Sequence, residues 1–441
     1  MSKNYEALLE DVNAMDAFDA HTHLDVAHLS ARGLHDILLY HMVVSDLYSA
    51  GCPDGGRLSE EPTENEAADR LERAVPYLPL IRNTSCWWMA ETILKELYGW
   101  EEPITNDNWQ RLHEHIKKTG GTESFGRDVM KKAKIKKTNT ELWRGRDFHC
   151  DDIFTYSLEW SFFTRAQWGV YDTALIELEH GWNHDVPAPP LPVTVNTAEL
   201  NYAKRIKTAA DADEAMEHYL SRIPFEKIIT IASHFSTHIR YRKVTAAEMD
   251  KALKNRDAAG EWERDVYANY ILEAFLTRYE KDHADMTLQF SMAAEPLPYE
   301  TISMMHQHTP FELAQIIAAH PKLKFNFHVS NMAVNQNFCT MVRELPNLSL
   351  NGYWWHNFFP SFIGRILSER LDMIAINKQV GHFSDAYCME WSWAKSKVIR
   401  RATAGVLAER VDSGRYTMET ALFLAQELLS GSAQKIFNTG W

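Results

Sequence analysis

Two histidines one residue apart, in Asp19-Ala20-His21-Thr22-His23-Leu24, carry the sharpest chemical signal in this 441-residue chain. On an extended strand, residues i and i+2 point the same way, so His21 and His23 would converge on one metal ion. The sequence turns from apolar to polar at this point. That places the pair at the end of a first strand, where barrel enzymes carry their reactive groups. The competing reading is a pair of ordinary histidines at a strand end, because a lone HxH is a short motif.

A second cluster, Gly381-His382-Phe383-Ser384-Asp385-Ala386-Tyr387, follows the last strand-like run. The first and eighth strands of a closed barrel are neighbours. Asp385 is therefore expected to ligate the same metal, or to accept a proton from metal-bound water or from substrate. On the residues alone, a helix N-cap at Ser384 and Asp385 is the stronger reading, and the two roles are compatible. His234, in ITIASHFSTH, and His328, in KFNFHVSN, end two further strand runs. Each is open as a third ligand, a substrate hydrogen-bond donor or a structural group. Glu295 is a weaker site residue. His41, in LLYHMVVSD, reads by itself as a packed helical histidine. The 14 tryptophans include the pairs Trp87-Trp88 and Trp354-Trp355. Their flat apolar rings suit a sugar, although a core role is the default.

The elements that must position these residues are short apolar, β-rich runs at 18–21, 133–139, 153–160, 227–233, 286–293, 323–329, 348–354 and 379–384. Helical patterns lie between several of them, as at 310–320, 335–345 and 360–371. Eight strands alternating with helices predict an α/β fold, a distorted (β/α)8 TIM-type barrel forming one domain over 1–441. The first two runs are about a hundred residues apart, far beyond a usual connection. Helical patterns at 35–49, 66–77, 88–98, 108–118 and 122–132, with a PDGG turn at 53–56, predict a helical insertion or cap over 35–132. The proline-rich stretch 180–195 predicts a loop, followed by a helical run over 198–222. The segment 395–437 reads as mostly helical.

Composition narrows the partners. A net charge of −14 disfavours nucleic acid and anionic lipid. Five cysteines without a CxxC spacing argue against a disulfide framework or a zinc ribbon and fit a reducing cytoplasm. The opening residues lack the pattern of a secretory signal, and no run approaches eighteen apolar residues, so no membrane span is expected.

With these motifs in place, the chain resembles the uronate isomerases of the amidohydrolase superfamily, as a divergent member. The resemblance rests on DAHTHL at 19–24, LLYHMV at 38–43, the helical insertion, FELAQIIAAHPKLKF at 311–325, NGYWWHN at 351–357 and HFSDA at 382–386. It implies a metal-dependent aldose–ketose isomerisation of a hexuronic acid, glucuronate or galacturonate, to a ketouronate. It also implies a divalent cofactor, expected to be Zn²⁺, held by His21, His23 and Asp385. Asp385 is then the first choice of base for the C2 proton, unless the site assists a hydride shift. His41 matches the family's histidine on the next helix and, with His328, would hydrogen-bond substrate oxygens. His234, Arg165, Trp355 and Tyr387 are the expected substrate contacts.

Three positions depart from the family: Met42 replaces a tyrosine, and Tyr387 and Glu159 stand where arginines are expected. An arginine fork is the natural clamp for a carboxylate. Arg165, or Arg240 and Arg242, would have to replace it. A second reading is therefore hydrolysis, or isomerisation of a neutral or otherwise different sugar-like molecule, at the same metal site. A third, a non-catalytic ligand-binding protein, is disfavoured by the presence of His21, His23 and Asp385. The expected partner is a small-molecule sugar acid or related compound, with homo-oligomer assembly left open.

Overall fold

The computed structural model describes residues 2–53, 64–145, 150–159, 166–167, 170–171, 173–184, 201–234, 240–292, 295–296, 301–302, 305 and 307–440. Eight strands form one sheet: β1 (Ala17–Asp19), β2 (Ile135–Glu141), β3 (Phe154–Glu159), β4 (Thr230–His234), β5 (Leu288–Met292), β6 (Phe325–Val329), β7 (Leu348–Asn351) and β8 (Gln379–Val380). They are hydrogen-bonded in sequence order and run parallel, the order of a (β/α)8 barrel. Each of the eight expected runs overlaps one of these strands, and β1, β2 and β4 extend one or two residues beyond their runs. Two short antiparallel hairpins, Ala166–Gln167 with Val170–Tyr171 and Glu295–Pro296 with Thr301–Ile302, stand outside the sheet.

The chain divides into two compact units, 1–155 with 351–435, and 156–350 with 436–441. The first unit opens with α1 (Lys3–Ala14), capped by the Ser2 side chain on Tyr5 N. Between β1 and β2 lie α2 (His35–Leu38), α3 (His41–Ser49), α4 (Glu64–Ala74), α5 (Ser85–Tyr98), α6 (Trp109–Thr119) and α7 (Glu123–Lys132). The expected helix over 35–49 is two helices. Its apolar periodicity runs on through Leu39 and Tyr40, but Tyr40 is extended, with φ −114° and ψ 125°. Its hydroxyl is engaged by another part of the unit, as described below. Most of the PDGG turn lies outside the described residues.

The second unit carries α8 (Thr173–Asn183), α9 (Ala209–Leu220), α10 (Ala246–Leu253), α11 (Glu261–Asp282), α12 (Thr309–Ala319) and α13 (Asn335–Glu344). The loop expected over 180–195 is corrected at its start, since 180–183 finish α8. Its prolines begin only at 187, too late to break that helix, and 185–200 lie outside the described residues. The helix expected over 198–222 covers 209–220, starting at a capping box between Thr208 and Asp211.

In β5 and β6 every residue is buried, yet polar and apolar types alternate. Gln289 sits opposite Asn326, and Ser291 opposite His328. Asn326 sits opposite Ser349 and donates to its hydroxyl at 2.9 Å. Period two puts these residues on one face and Phe290, Phe325, Phe327 and Leu350 on the other. The sheet in this unit therefore has one apolar buried face and one polar buried face.

After β7 the first unit resumes with α14 (Pro360–Met373), α15 (Met389–Asp412) and α16 (Met418–Gln426). The C-terminal stretch is helical as expected. All five cysteines are buried, and none is in a disulfide. Among the described residues, no helix is long and apolar enough to cross a membrane.

Candidate metal centre

His21 and His23 lie just past the end of β1, but the backbone there continues to bond on both sides. Thr22 N donates to Asn139 O of β2 at 2.8 Å, and His23 N donates to Ala386 O at 2.8 Å. Asp385 N donates back to His21 O at 2.9 Å. The segment therefore stays extended without being a ladder strand, and the i, i+2 geometry is preserved. His21 Nε2 is 3.6 Å and His23 Nε2 3.3 Å from the same oxygen, Oδ1 of Asp385.

This spacing tests whether the residues fit a metal. Nitrogen and oxygen donors of a tetrahedral zinc ion, at about 2.0–2.1 Å from it, lie roughly 3.4 Å from one another. The two separations bracket that value, so the donor set fits a divalent ion. The carboxylate and both rings are largely buried.

Supporting groups fix each donor. His23 Nδ1 lies 2.8 Å from Glu141 Oε1, at the end of β2. A carboxylate there selects the Nδ1–H tautomer and leaves Nε2 as the lone pair facing Asp385. Glu141 Oε2 in turn accepts from Nε of Arg144, a buried residue. The Arg144 guanidinium lies 4.3 Å from the Trp143 ring centroid and 5.3 Å from that of Tyr387. Tyr387 stacks on His23 at 4.6 Å. Phe383 meets His21 edge-on at 5.7 Å. It has room because residue 352 is glycine, where a Cβ would sit 1.7 Å from the Phe383 ring.

Asp385 is not a helix N-cap: α15 begins at Met389 and is preceded by Cys388. Two residues, Ala386 and Tyr387, separate Asp385 from that cap position, and its backbone is left-handed, with φ +56°. Ser384 N donates to Asp19 Oδ1 at 2.7 Å. Burial pushes the Asp19 carboxyl up to about 7, against the opposing pull of Ser384 and Lys395.

The other expected site residues are placed as follows. His328 is buried on the polar face of β6, its Nε2 2.5 Å from Ser291 Oγ. His234 ends β4, paired in register with Ser291. His41 is the first residue of α3. Trp355 is buried in a 3-10 turn against Trp354, their rings 5.5 Å apart. Arg165 lies outside the described residues. Arg242 is engaged with Glu248 at 2.8 Å. Glu159 ends β3, half-buried.

The sequence reading missed Glu141, Arg144, Tyr40 and Lys395. Glu141 was within reach of the rule applied to His234, a polar residue at a strand end. The other three have no local signal.

No family model matches the chain, and no curated protein matches it. Solved structures do. Uronate isomerase from Thermotoga maritima superposes with a TM-score of 0.75 at 13% identity, over 99% of this chain and 98% of that one. Glucuronate isomerase from Caulobacter crescentus gives 0.74 at 13% identity, over 99% and 94%. A Lactobacillus casei protein assigned as a metal-dependent hydrolase gives 0.62 at 11% identity, over 98% and 97%. At these identities the likeness shows the fold, a distorted (β/α)8 barrel shared over the full length of the chain.

Proposed function

We propose that this chain is a metal-dependent aldose–ketose isomerase acting on a hexuronic acid, with Zn²⁺ as the resident ion. The observation that carries the reading is the pair of histidine nitrogens 3.6 and 3.3 Å from one oxygen of Asp385. The full-length likeness to uronate and glucuronate isomerases supports it. A bound divalent ion supplies Lewis-acid polarisation of the substrate's carbonyl and hydroxyl oxygens.

The protein's own groups do the rest. Asp385 takes the proton from C2 of the open-chain sugar and returns it to C1, while the O2 proton passes to O1. The aldehyde is thereby reduced and the adjacent alcohol oxidised within one molecule, so no co-reactant is needed. Glu141 holds His23 in the tautomer that presents Nε2. The Tyr387 ring, stacked on His23, and the Trp355 ring are assigned to the sugar face.

The test is direct. The Zn²⁺-loaded protein is incubated with glucuronate and galacturonate, and ketouronate formation is followed. Turnover is expected, with kcat/KM at least ~100-fold lower in His21→Ala, a loss of the size seen when a main stabiliser of developing charge is removed. Absence of turnover with both sugars would sink the isomerase reading.

A second reading, hydrolysis or isomerisation of a neutral sugar-like molecule, is favoured by one observation. Tyr387, where the resemblance expects an arginine, is stacked on His23 and offers no charge to a substrate carboxylate. Turnover of lactones, amides or neutral sugars in place of the uronates would establish it.

A further inference from the structure

Lys395 lies in α15 and is completely buried. Its ammonium donates to Ser384 O at 2.6 Å, to the Tyr40 hydroxyl at 2.9 Å and to Asp385 O at 3.4 Å. The Tyr40 hydroxyl donates in turn to Asp385 O. The ammonium also sits over the Phe358 ring, 4.1 Å from its centroid. A buried ammonium is costly to desolvate, and here its protons go to backbone oxygens of the two residues that set the Asp385 carboxylate.

The backbone at Asp385 needs such a hold. A φ of +56° is uncommon for residues with a Cβ, and although Asp tolerates it better than most, it is held where the surroundings over-determine it. From the other side the segment is tied by Asp385 N to His21 O and by Ser384 N to Asp19. Those bonds fix its position along the His21–His23 segment but leave the carbonyls of 384 and 385 to be oriented by something else. Tyr40 is available because its own backbone is extended between α2 and α3, the break that the helical periodicity did not anticipate.

We propose that Lys395 and Tyr40 form a clamp that holds the Asp385 backbone in its left-handed turn and so aims the carboxylate at His21 and His23. Lys395 is a positioning residue, acting through Asp385. The proposal rests on the metal-site reading above.

The experiment measures Zn²⁺ affinity by competition with a chromophoric chelator, and the visible spectrum of the Co²⁺-loaded protein, for the wild type, Lys395→Met and Tyr40→Phe. Far-UV circular dichroism and melting curves report folding. Both variants are expected to fold. Zn²⁺ affinity should fall at least ~10-fold in Lys395→Met and roughly 3-fold in Tyr40→Phe, the scale of lost support behind a ligand. Both Co²⁺ spectra should change, since the geometry of one ligand has changed. A folded Lys395→Met with wild-type affinity and spectrum overturns the clamp, whatever its melting temperature. If that variant does not fold, Tyr40→Phe decides alone, and unchanged affinity and spectrum overturn the proposal. A wild-type chain that takes up no metal overturns the metal reading and the clamp together, which distinguishes it from failure of the clamp alone.

Discussion

Glu141 shows how much of a metal site lies behind its ligands. One carboxylate oxygen accepts a hydrogen bond from His23 Nδ1–H and the other accepts one from the Arg144 guanidinium. The arginine pairs with the carboxylate, and the carboxylate makes His23 a more basic ligand. Glutamine is similar in shape but has one acceptor and no charge. Glu141→Gln should therefore fold normally and bind Zn²⁺ about 10–100-fold more weakly, measured by chelator competition. Equal affinity in the two proteins would mean that Glu141 serves packing alone. The ligands were legible in the sequence because His21 and His23 are two residues apart and Asp385 ends a recognisable run. Glu141 is 118 residues from the histidine it supports, and Lys395 is 355 from Tyr40. Contacts across such separations leave no local pattern.

At the level of elements, the strands were legible because apolar, β-rich runs bounded by turn residues give all eight their positions. What those runs concealed is the second buried face, where Gln289, Asn326 and Ser349 line up across three strands. Helix α15 concealed more. It reads as an ordinary charged helix, yet most of it is buried, and Glu390, Lys395 and Arg400 each grip a different part of the first unit. Glu390 accepts from Ala31 N and from the Tyr98 hydroxyl. Arg400 donates to Val12 O, Met15 O and Ala133 O, the carbonyls at the ends of α1 and α7. Those are the helices that lead into β1 and β2. Arg400→Met fills a similar volume but leaves three carbonyls without their donor. The expected cost is about 3 kcal/mol in urea unfolding, because buried acceptors that lose a charged donor carry most of their desolvation penalty. A loss below roughly 1 kcal/mol, the range of ordinary surface changes, would show that water replaces the guanidinium.

For the whole molecule the question is how stability responds to acid. The chain carries a net charge of −14 near neutrality, so mild acidification relieves self-repulsion. Buried groups then decide the slope, and they oppose one another. Burial raises Asp19 and Glu390, so the folded state holds protons that the unfolded chain has released, and their contribution to stability is lost as pH rises. His382 has the opposite sign. It is fully buried, and burial with the nearby Arg400 charge pushes its imidazole down to about 3. The unfolded chain protonates this histidine near pH 6.5 while the folded state does not. Its contribution is thus complete above pH 6.5 and is lost as pH falls from there toward 3. Because the two signs mix in the wild type, the His382 contribution is best read as a difference. His382→Asn removes the titration, so the stability gap between wild type and variant should narrow by about 2 kcal/mol between pH 7 and pH 5. Urea unfolding of both proteins at the two pH values measures it. A gap that stays constant would mean that His382 is as free to protonate in the folded protein as in the unfolded chain.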